Sequence, residues 1–243
     1  MEEKIKKLAA ALGGTDNAVF FGGAGVSVAS NIPDFRSSGG LFQEKWKCPP
    51  EVMLSRSFFD ANPEEFFRFY KAKMVYPDAK PNPAHYALAK LEEMGILKAV
   101  ITQNIDNLHQ AAGSRNVIEL HGTVMHNHCL KCGKQHPLSF VLEAEGLPRC
   151  ACGGIVKPDV VLYEEPLSEE NLERAWQYIR EADVLIVAGT SLLVNPAASL
   201  INAFAGSFFT IINKSPTASD RFADLVIHGD VAEVLPRAVS LLK

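Results

Sequence analysis

"NAVFFGGAGVSVAS", residues 17–30, reads as a short apolar strand that runs straight into a glycine loop and then into the start of a helix. Ala18, Val19, Phe20 and Phe21 make the strand; Gly22, Gly23, Ala24 and Gly25 make the loop. Glycines at such a turn let backbone N–H groups approach a pyrophosphate, and a helix start adds partial positive charge. The dinucleotide fingerprint GxGxxG is incomplete here. Gly23-Ala24-Gly25 matches its beginning, but Val28 occupies the third glycine's place, and no acidic residue follows about 20 positions later in a strand-helix-strand setting. By itself the stretch fits a tight strand-to-helix turn as well as a phosphate site. The next segment, "NIPDFRSSGGLF" (31–42), is a polar loop rich in proline and glycine where a helix should continue. A long loop beside a phosphate site often folds over a ligand.

Outward from this strand, five more apolar runs have the same character: 99–102, 117–120, 184–189, 208–212 and 225–227. Runs apolar on both faces suit a parallel sheet covered by helices on each side. Helical patterns lie at 2–12, with Ile5, Leu8, Ala9 and Leu12 on one face, and at 83–94, 169–181, 196–204 and 231–242. The alternation predicts an α/β fold, a doubly wound parallel sheet of Rossmann-like type. Two stretches interrupt it. Residues 37–82 are rich in aromatics, with helical periodicity near 64–73, and residues 123–155 hold cysteine pairs and several glycines. The expected plan is a nucleotide-type domain from 1–36, 83–122 and 156–243, a helical and loop insertion at 37–82, and a metal-binding module at 123–155.

A net charge of −4 over 243 residues lacks the dense basic face that sequence-independent nucleic-acid binding requires. No apolar run approaches the roughly 20 residues of a membrane span, and the opening Met-Glu-Glu-Lys-Ile-Lys-Lys has no apolar stretch behind its charges. The expectation is a cytoplasmic monomer with neither nucleic acid nor membrane as partner.

Five cysteines without a secretion signal read as metal ligands more readily than as disulfides. Cys129-x-x-Cys132 and Cys150-x-Cys152 supply four thiolates from two knuckles, which closes a tetrahedral zinc shell with no position open for chemistry. The zinc is therefore expected to be structural. His126 and His128 read as surface residues of a small polar module. A redox CxxC is disfavoured because no thioredoxin-like helix begins at Cys129. Cys48, beside Pro49-Pro50, reads as a buried or partly buried thiol.

Ligands of doubly wound sheets bind at the carboxyl ends of the strands. Polar residues stand at four such ends: Gln103, Asn104 and Asp106 after 99–102, His121 after 117–120, Gly189-Thr190-Ser191 after 184–188, and Asn213 after 208–212. Imidazole, carboxylate and amide groups converging on one crevice favour a functional reading over a structural one. His109, inside a helical stretch, reads as structural.

In order along the chain, Gly23-Ala24-Gly25-Val26-Ser27, Ile32-Pro33-Asp34-Phe35-Arg36, Gln103-Asn104-Ile105-Asp106, His121-Gly122, the four cysteines and Gly189-Thr190-Ser191 resemble the signature blocks of sirtuins, NAD-dependent protein lysine deacylases. The resemblance spans nearly the whole chain. It implies NAD as a co-substrate lying across the strand ends, with its pyrophosphate on Gly23, Ala24, Gly25 and Val28 and with Gly189, Thr190 and Ser191 nearby. It implies Asp34, Phe35 and Arg36 in a cofactor-binding loop, Phe35 guarding the nicotinamide ribose. Ile105 and Asp106 would recognise the nicotinamide carboxamide, Gln103 and the catalytic Asn104 the ribose and a water, and Asn213, Asp230 and Val231 the adenosine end. His121 would be the general base, taking a proton from the ribose hydroxyls after the acetyl-lysine carbonyl oxygen has displaced nicotinamide. An imidazole with a pKa near 6.5 suits that task at neutral pH. The products would be free lysine, nicotinamide and O-acetyl-ADP-ribose.

An acetyl-lysine protein or peptide would be sandwiched between Val160, Val161, Leu162 and Tyr163 on one side and Val194 on the other, by strand addition. "VVLYEEPL" (160–167) departs from the Phe-Gly-Glu of many sirtuins, with Glu164 in the glycine position. Glu164 and Glu165 are expected to favour basic residues beside the target lysine. Desuccinylating sirtuins resemble one another in a Tyr-x-x-Arg pair; here the aligned helix reads Phe67-Arg68-Phe69-Tyr70, which implies an apolar pocket lined by Phe67 and a preference for acetyl over succinyl. The rival readings are an NAD-dependent dehydrogenase, which would need the complete glycine fingerprint, a zinc module that binds NAD without catalysis, mono-ADP-ribosylation, and removal of longer neutral acyl groups.

Overall fold

A computed structural model describes residues 1–35 and 48–242; Arg36 lies outside the described residues. Along the chain come α1 (Glu2–Gly13) and β1 (Ala18–Gly22), then four helices, α2 (Pro50–Met53), α3 (Arg56–Ala61), α4 (Pro63–Lys73) and α5 (Pro83–Glu93). Next are β2 (Leu97–Thr102), α6 (Leu108–Ala111), β3 (Val117–Glu119), β4 (Gly122–Cys129), β5 (Gln135–Pro137), α7 (Leu138–Glu143) and β6 (Val156–Val160). The chain closes with α8 (Glu169–Glu181), β7 (Val184–Ala188), β8 (Phe208–Asn213), β9 (Leu225–His228) and α9 (Val231–Val239).

Six strands form one parallel sheet in the order β3-β2-β1-β7-β8-β9. The order reverses direction at β1, which makes the ends of β1 and β7 the switch point where doubly wound sheets leave a crevice. Both faces are covered. Phe20 points into one core with Ile5, Leu8, Leu88, Leu91, Ile186 and Leu235 from α1, α5, β7 and α9. Its neighbours Val19 and Phe21 point into the other, with Ala175, Ile179, Leu185, Val187 and Ile201. Each fully buried Val, Ile, Leu or Phe among them contributes on the order of 1.5–3 kcal/mol.

The helical start read at residues 24–30 is instead two 3-10 turns, Ala24–Val26 and Val28–Ser30, closed by left-handed Asn31. An α-helix is prevented by what holds this segment: the Asn82 side-chain amide donates to the Val26 carbonyl and to Ser30 Oγ at 2.8 and 2.9 Å. The helix read at 196–204 is likewise a 3-10 segment, Ala197–Ala203.

The cysteine-rich stretch builds its own antiparallel sheet, β5-β4-β6. Its core is continuous with that of the first insertion: Phe59, Phe66, Phe67, Phe69 and Tyr70 pack with Val124, Val141, Val156 and the buried Cys129 and Cys150. Phe66 meets Phe59 and Phe67 edge-to-face at 4.9 and 5.4 Å, the favoured geometry for aromatic pairs. The two insertions therefore form one small lobe. No helix among the described residues is long and apolar enough to cross a membrane.

Candidate active site

A continuous cleft of about 1210 Å³ runs along the carboxyl ends of β1, β2, β7 and β8 and under the small lobe. Its floor at the switch point depends on glycine for close approach rather than for flexibility. A Cβ on Gly25 would sit 2.7 Å from Gly189 Cα, and one on Gly23 would sit 2.8 Å from Thr190 Cβ. The loop after β1 thus lies directly on the loop after β7, pinned by the Gly25 N–H donating to the Gly189 carbonyl at 2.8 Å.

The polar residues after the other strands converge on this floor. Gln103 Nε2 donates to Thr190 Oγ1 at 3.1 Å, and Asn213 Nδ2 donates to the Thr190 carbonyl at 3.0 Å. Ser27, fully buried, donates from Oγ to Asp106 Oδ2 at 2.5 Å and accepts from Asn104 Nδ2 at 3.0 Å. The other Asp106 oxygen accepts the Leu108 backbone N–H. Ser27 therefore orients both Asp106 and Asn104. Its role was not legible from its own surroundings in the sequence, because its partners lie 77 and 79 residues away.

His121 follows β3 and is held from both sides. Its carbonyl accepts the Val161 N–H at 2.9 Å, and its Nδ1 lies 2.9 Å from the Gln103 carbonyl. A carbonyl only accepts, so Nδ1 carries the proton and Nε2 keeps its lone pair. Burial lowers the His121 pKa, with the Gln103 carbonyl pulling it partly back up, so the ring is neutral at pH 7. Gly122 is obligatory beside it: φ is 73°, and a Cβ would lie 1.9 Å from the Asp159 carbonyl oxygen where β4 meets β6. What results is a neutral imidazole with one fixed tautomer on the wall of the cleft.

The same cleft is lined by Gly23, Ala24, Gly25, Val28, Asp34, Phe35, Ile105, Ser191, Asp230 and Val231, and by Val160, Val161, Leu162, Tyr163 and Val194. Phe67 is elsewhere. It and Tyr70 are almost fully buried within the small lobe, because this face of α4 is turned into the core with Phe59, Val124 and Val156. The apolar wall comes instead from Leu54, Met74, Val75, Val124 and Leu138. Glu164 and Glu165 are also engaged within the chain. Glu164 accepts from Ser57, and Glu165 from the Leu162 N–H, Arg56 and the buried Lys157, so neither stands as a free charge for a basic neighbour.

The four cysteine sulfurs lie within 4.8 Å of one another, with Cys129 to Cys152 at 3.4 Å and Cys132 to Cys150 at 3.7 Å. A tetrahedron of thiolates about 2.3 Å from zinc has edges near 3.8 Å, so the cluster fits that ion. His126 is exposed, and His128 pairs with Asp159 at 2.5 Å rather than joining the cluster.

A family model described as the Sir2 family matches residues 23–196. The NAD-dependent protein deacetylase of Clostridium perfringens (strain 13 / Type A) is 56% identical over 243 residues, covering 98% of this chain and 100% of its own. A solved Sir2 enzyme superposes with a TM-score of 0.90 at 45% identity, covering 99% of this chain and 98% of that one. Another, solved with a p53 peptide and NAD+, gives 0.85 at 39% identity, covering 97% of each chain.

Proposed function

The chain belongs to the Sir2 family, and from that premise we propose how its residues carry out NAD-dependent protein lysine deacetylation. NAD supplies an electrophilic ribose carbon once nicotinamide departs, and the acetyl group of acetyl-lysine passes to ADP-ribose. Gly23, Ala24, Gly25 and Val28, all on the cleft, receive the pyrophosphate, the two glycines letting their loop lie close against Gly189 and Thr190. Gly189, Thr190 and Ser191 flank it, and Asn213, Asp230 and Val231 hold the adenosine end. Asp34 and Phe35, on the cleft, face the ribose, and Arg36, outside the described residues, is assigned to the cofactor by the family resemblance alone. Ile105 and Asp106 take the carboxamide, with Ser27 fixing the carboxylate; Gln103 and Asn104 face the ribose and its water.

His121 removes a proton from a ribose hydroxyl at Nε2. One observation carries this assignment: Nδ1 is committed to the Gln103 carbonyl, so Nε2 is the ring's basic atom, and the ring stands on the cleft. Cys129, Cys132, Cys150 and Cys152 hold zinc, which staples β4 to the turn before β6 and takes no part in the reaction.

The peptide lies between Val160–Tyr163 and Val194, with its acyl group against Leu54, Met74, Val75 and Val124. That apolar wall favours acetyl over succinyl, because a buried carboxylate without a partner is costly. The chain is taken to act as a monomer, and reduced zinc thiolates suit the cytoplasm.

Mass spectrometry of an acetylated peptide incubated with NAD tests the reading. Nicotinamide and O-acetyl-ADP-ribose should form with the wild type and not with His121→Ala. Equal turnover by the two proteins would overturn the role of His121, and label passing from NAD onto protein would mark ADP-ribosylation instead.

A further inference from the structure

Beyond Val160 the substrate-facing wall leaves β6 and turns. The Glu165 N–H donates to the Leu162 carbonyl at 3.0 Å, which closes a four-residue turn, and its third residue, Glu164, has φ 75°. A positive φ at that position is type II geometry, which selects glycine because a side chain there crowds the backbone. Glutamate stands here nonetheless, and its carboxylate has a specific use. Oε2 accepts the Ser57 backbone N–H at 2.8 Å, and Oε1 accepts the Ser57 hydroxyl at 2.9 Å.

The surrounding bonds reach the same short stretch of the small lobe. The Tyr163 N–H donates to the Leu54 carbonyl at 3.0 Å, the Arg56 N–H donates to the Tyr163 carbonyl at 2.9 Å, and the Arg56 guanidinium pairs with Glu165 at 3.2 Å. Apart from the Val161 N–H on the His121 carbonyl and an isolated bridge between Tyr163 and Ser55, no strand pairing among the described residues supports residues 161–165. Their position is set by these anchors, and Glu164 is the anchor at the apex.

We propose that Glu164 is a positioning residue for the acyl-peptide: its hold on Ser57 keeps the 160–164 wall in the conformation that accepts a peptide strand. The proposal rests on the reading that the peptide lies between this wall and Val194. Strand addition needs backbone groups already in line, and a wall that is competent only part of the time weakens apparent affinity by the competent fraction. Glycine at 164 would suit the turn but would release it from the lobe and widen its conformational range. The chain thus holds an unfavourable backbone conformation in exchange for a fixed substrate wall.

Steady-state kinetics of the zinc-loaded full chain, varying peptide and NAD separately, test this. If the competent fraction falls to about one in ten, Glu164→Gly should raise the peptide KM about 10-fold, with kcat and the NAD KM within about twofold. Ser57→Ala, which keeps the backbone donor, should raise the peptide KM by a smaller factor, about threefold on the same scale, and Ser57→Thr should restore it. An unchanged peptide KM in Glu164→Gly overturns the proposal, as does a parallel loss in kcat and the NAD KM, which would mark a general structural role. Val194→Asp separates the two levels. If it raises the peptide KM while Glu164→Gly does not, only the positioning role fails; if it too has no effect, the peptide site itself is misplaced.

Discussion

His85 on α5 and His109 on α6 face each other at 4.7 Å behind the glycine loop, both almost fully buried. His85 Nδ1 accepts the Asn82 backbone N–H at 3.2 Å. The other three ring nitrogens of the pair have no hydrogen-bond partner among the described residues. Burial pushes the His85 pKa down to about 4, with Asp106 raising it in part, and pushes His109 down to about 3, with His85 acting in the same direction. Both folded values lie below the unfolded value near 6.5, so in acid the unfolded chain binds more protons. Stability from this pair is present above about pH 6.5 and is lost as the pH falls toward 4 for His85 and toward 3 for His109. A fully titrating ring contributes a slope of about 1.4 kcal/mol per pH unit, reached only below the unfolded pKa, so the fall from about 6.5 to 4.5 removes about 2 kcal/mol per ring and roughly 4–5 for the pair. That is a large part of a typical 5–15 kcal/mol total. His109→Phe keeps a ring against Phe20 and removes two orphaned nitrogens and one titration. Urea unfolding followed by circular dichroism at pH 7, 6, 5 and 4.5 should show the variant at least as stable at pH 7 and flatter below pH 6 by about 1.4 kcal/mol per unit. Carboxylates and zinc thiolates titrate in both proteins and cancel in the difference. Parallel pH curves would refute the reasoning.

Four further outcomes follow from the cleft. His121→Ala should lower kcat by about 10²–10⁴-fold, the usual worth of a general base, while NAD binding by calorimetry stays within a few-fold. Because burial lowers the His121 pKa, the acid limb of the wild-type rate profile should fall below pH 6.5 rather than at it, and a limb above 6.5 would contradict the buried environment. Gly25→Ala places a methyl 2.7 Å from Gly189 Cα, so the two loops must part; an NAD KM raised at least about tenfold, about 1.4 kcal/mol, is expected in steady-state assays. Stripping zinc should expose the small-lobe core that Cys129 and Cys150 share with Phe66 and Val156, seen as dye binding and a lowered melting temperature, and zinc should restore both.

What the sequence disclosed follows from where each residue's partners lie. All six strands of the large sheet were legible, since strands covered on both faces are apolar at consecutive positions, as Val19, Phe20 and Phe21 are. The strand-end polar residues were legible for the same reason, each one breaking an apolar run. The sheet around the cysteines was not: β4 carries Met125, His126, Asn127 and His128 in succession, and its register against β6 shifts between Gly122 and Asn127, which leaves Met125 and His126 exposed side by side and breaks any alternation. Phe67 shows a second limit. Helical periodicity in 64–73 located α4 and its aromatic face, but not what that face packs on: Phe66, Phe67, Phe69 and Tyr70 all turn into the small-lobe core, and none of their rings lines the cleft. Glu164 shows a third. As sequence it is a charge in a glycine's place, and the natural inference is a charge offered to the substrate. In the fold its carboxylate turns back to Ser57, more than a hundred residues earlier, so the local departure from the family pattern makes sense only when the departing residue and its distant partner are read together.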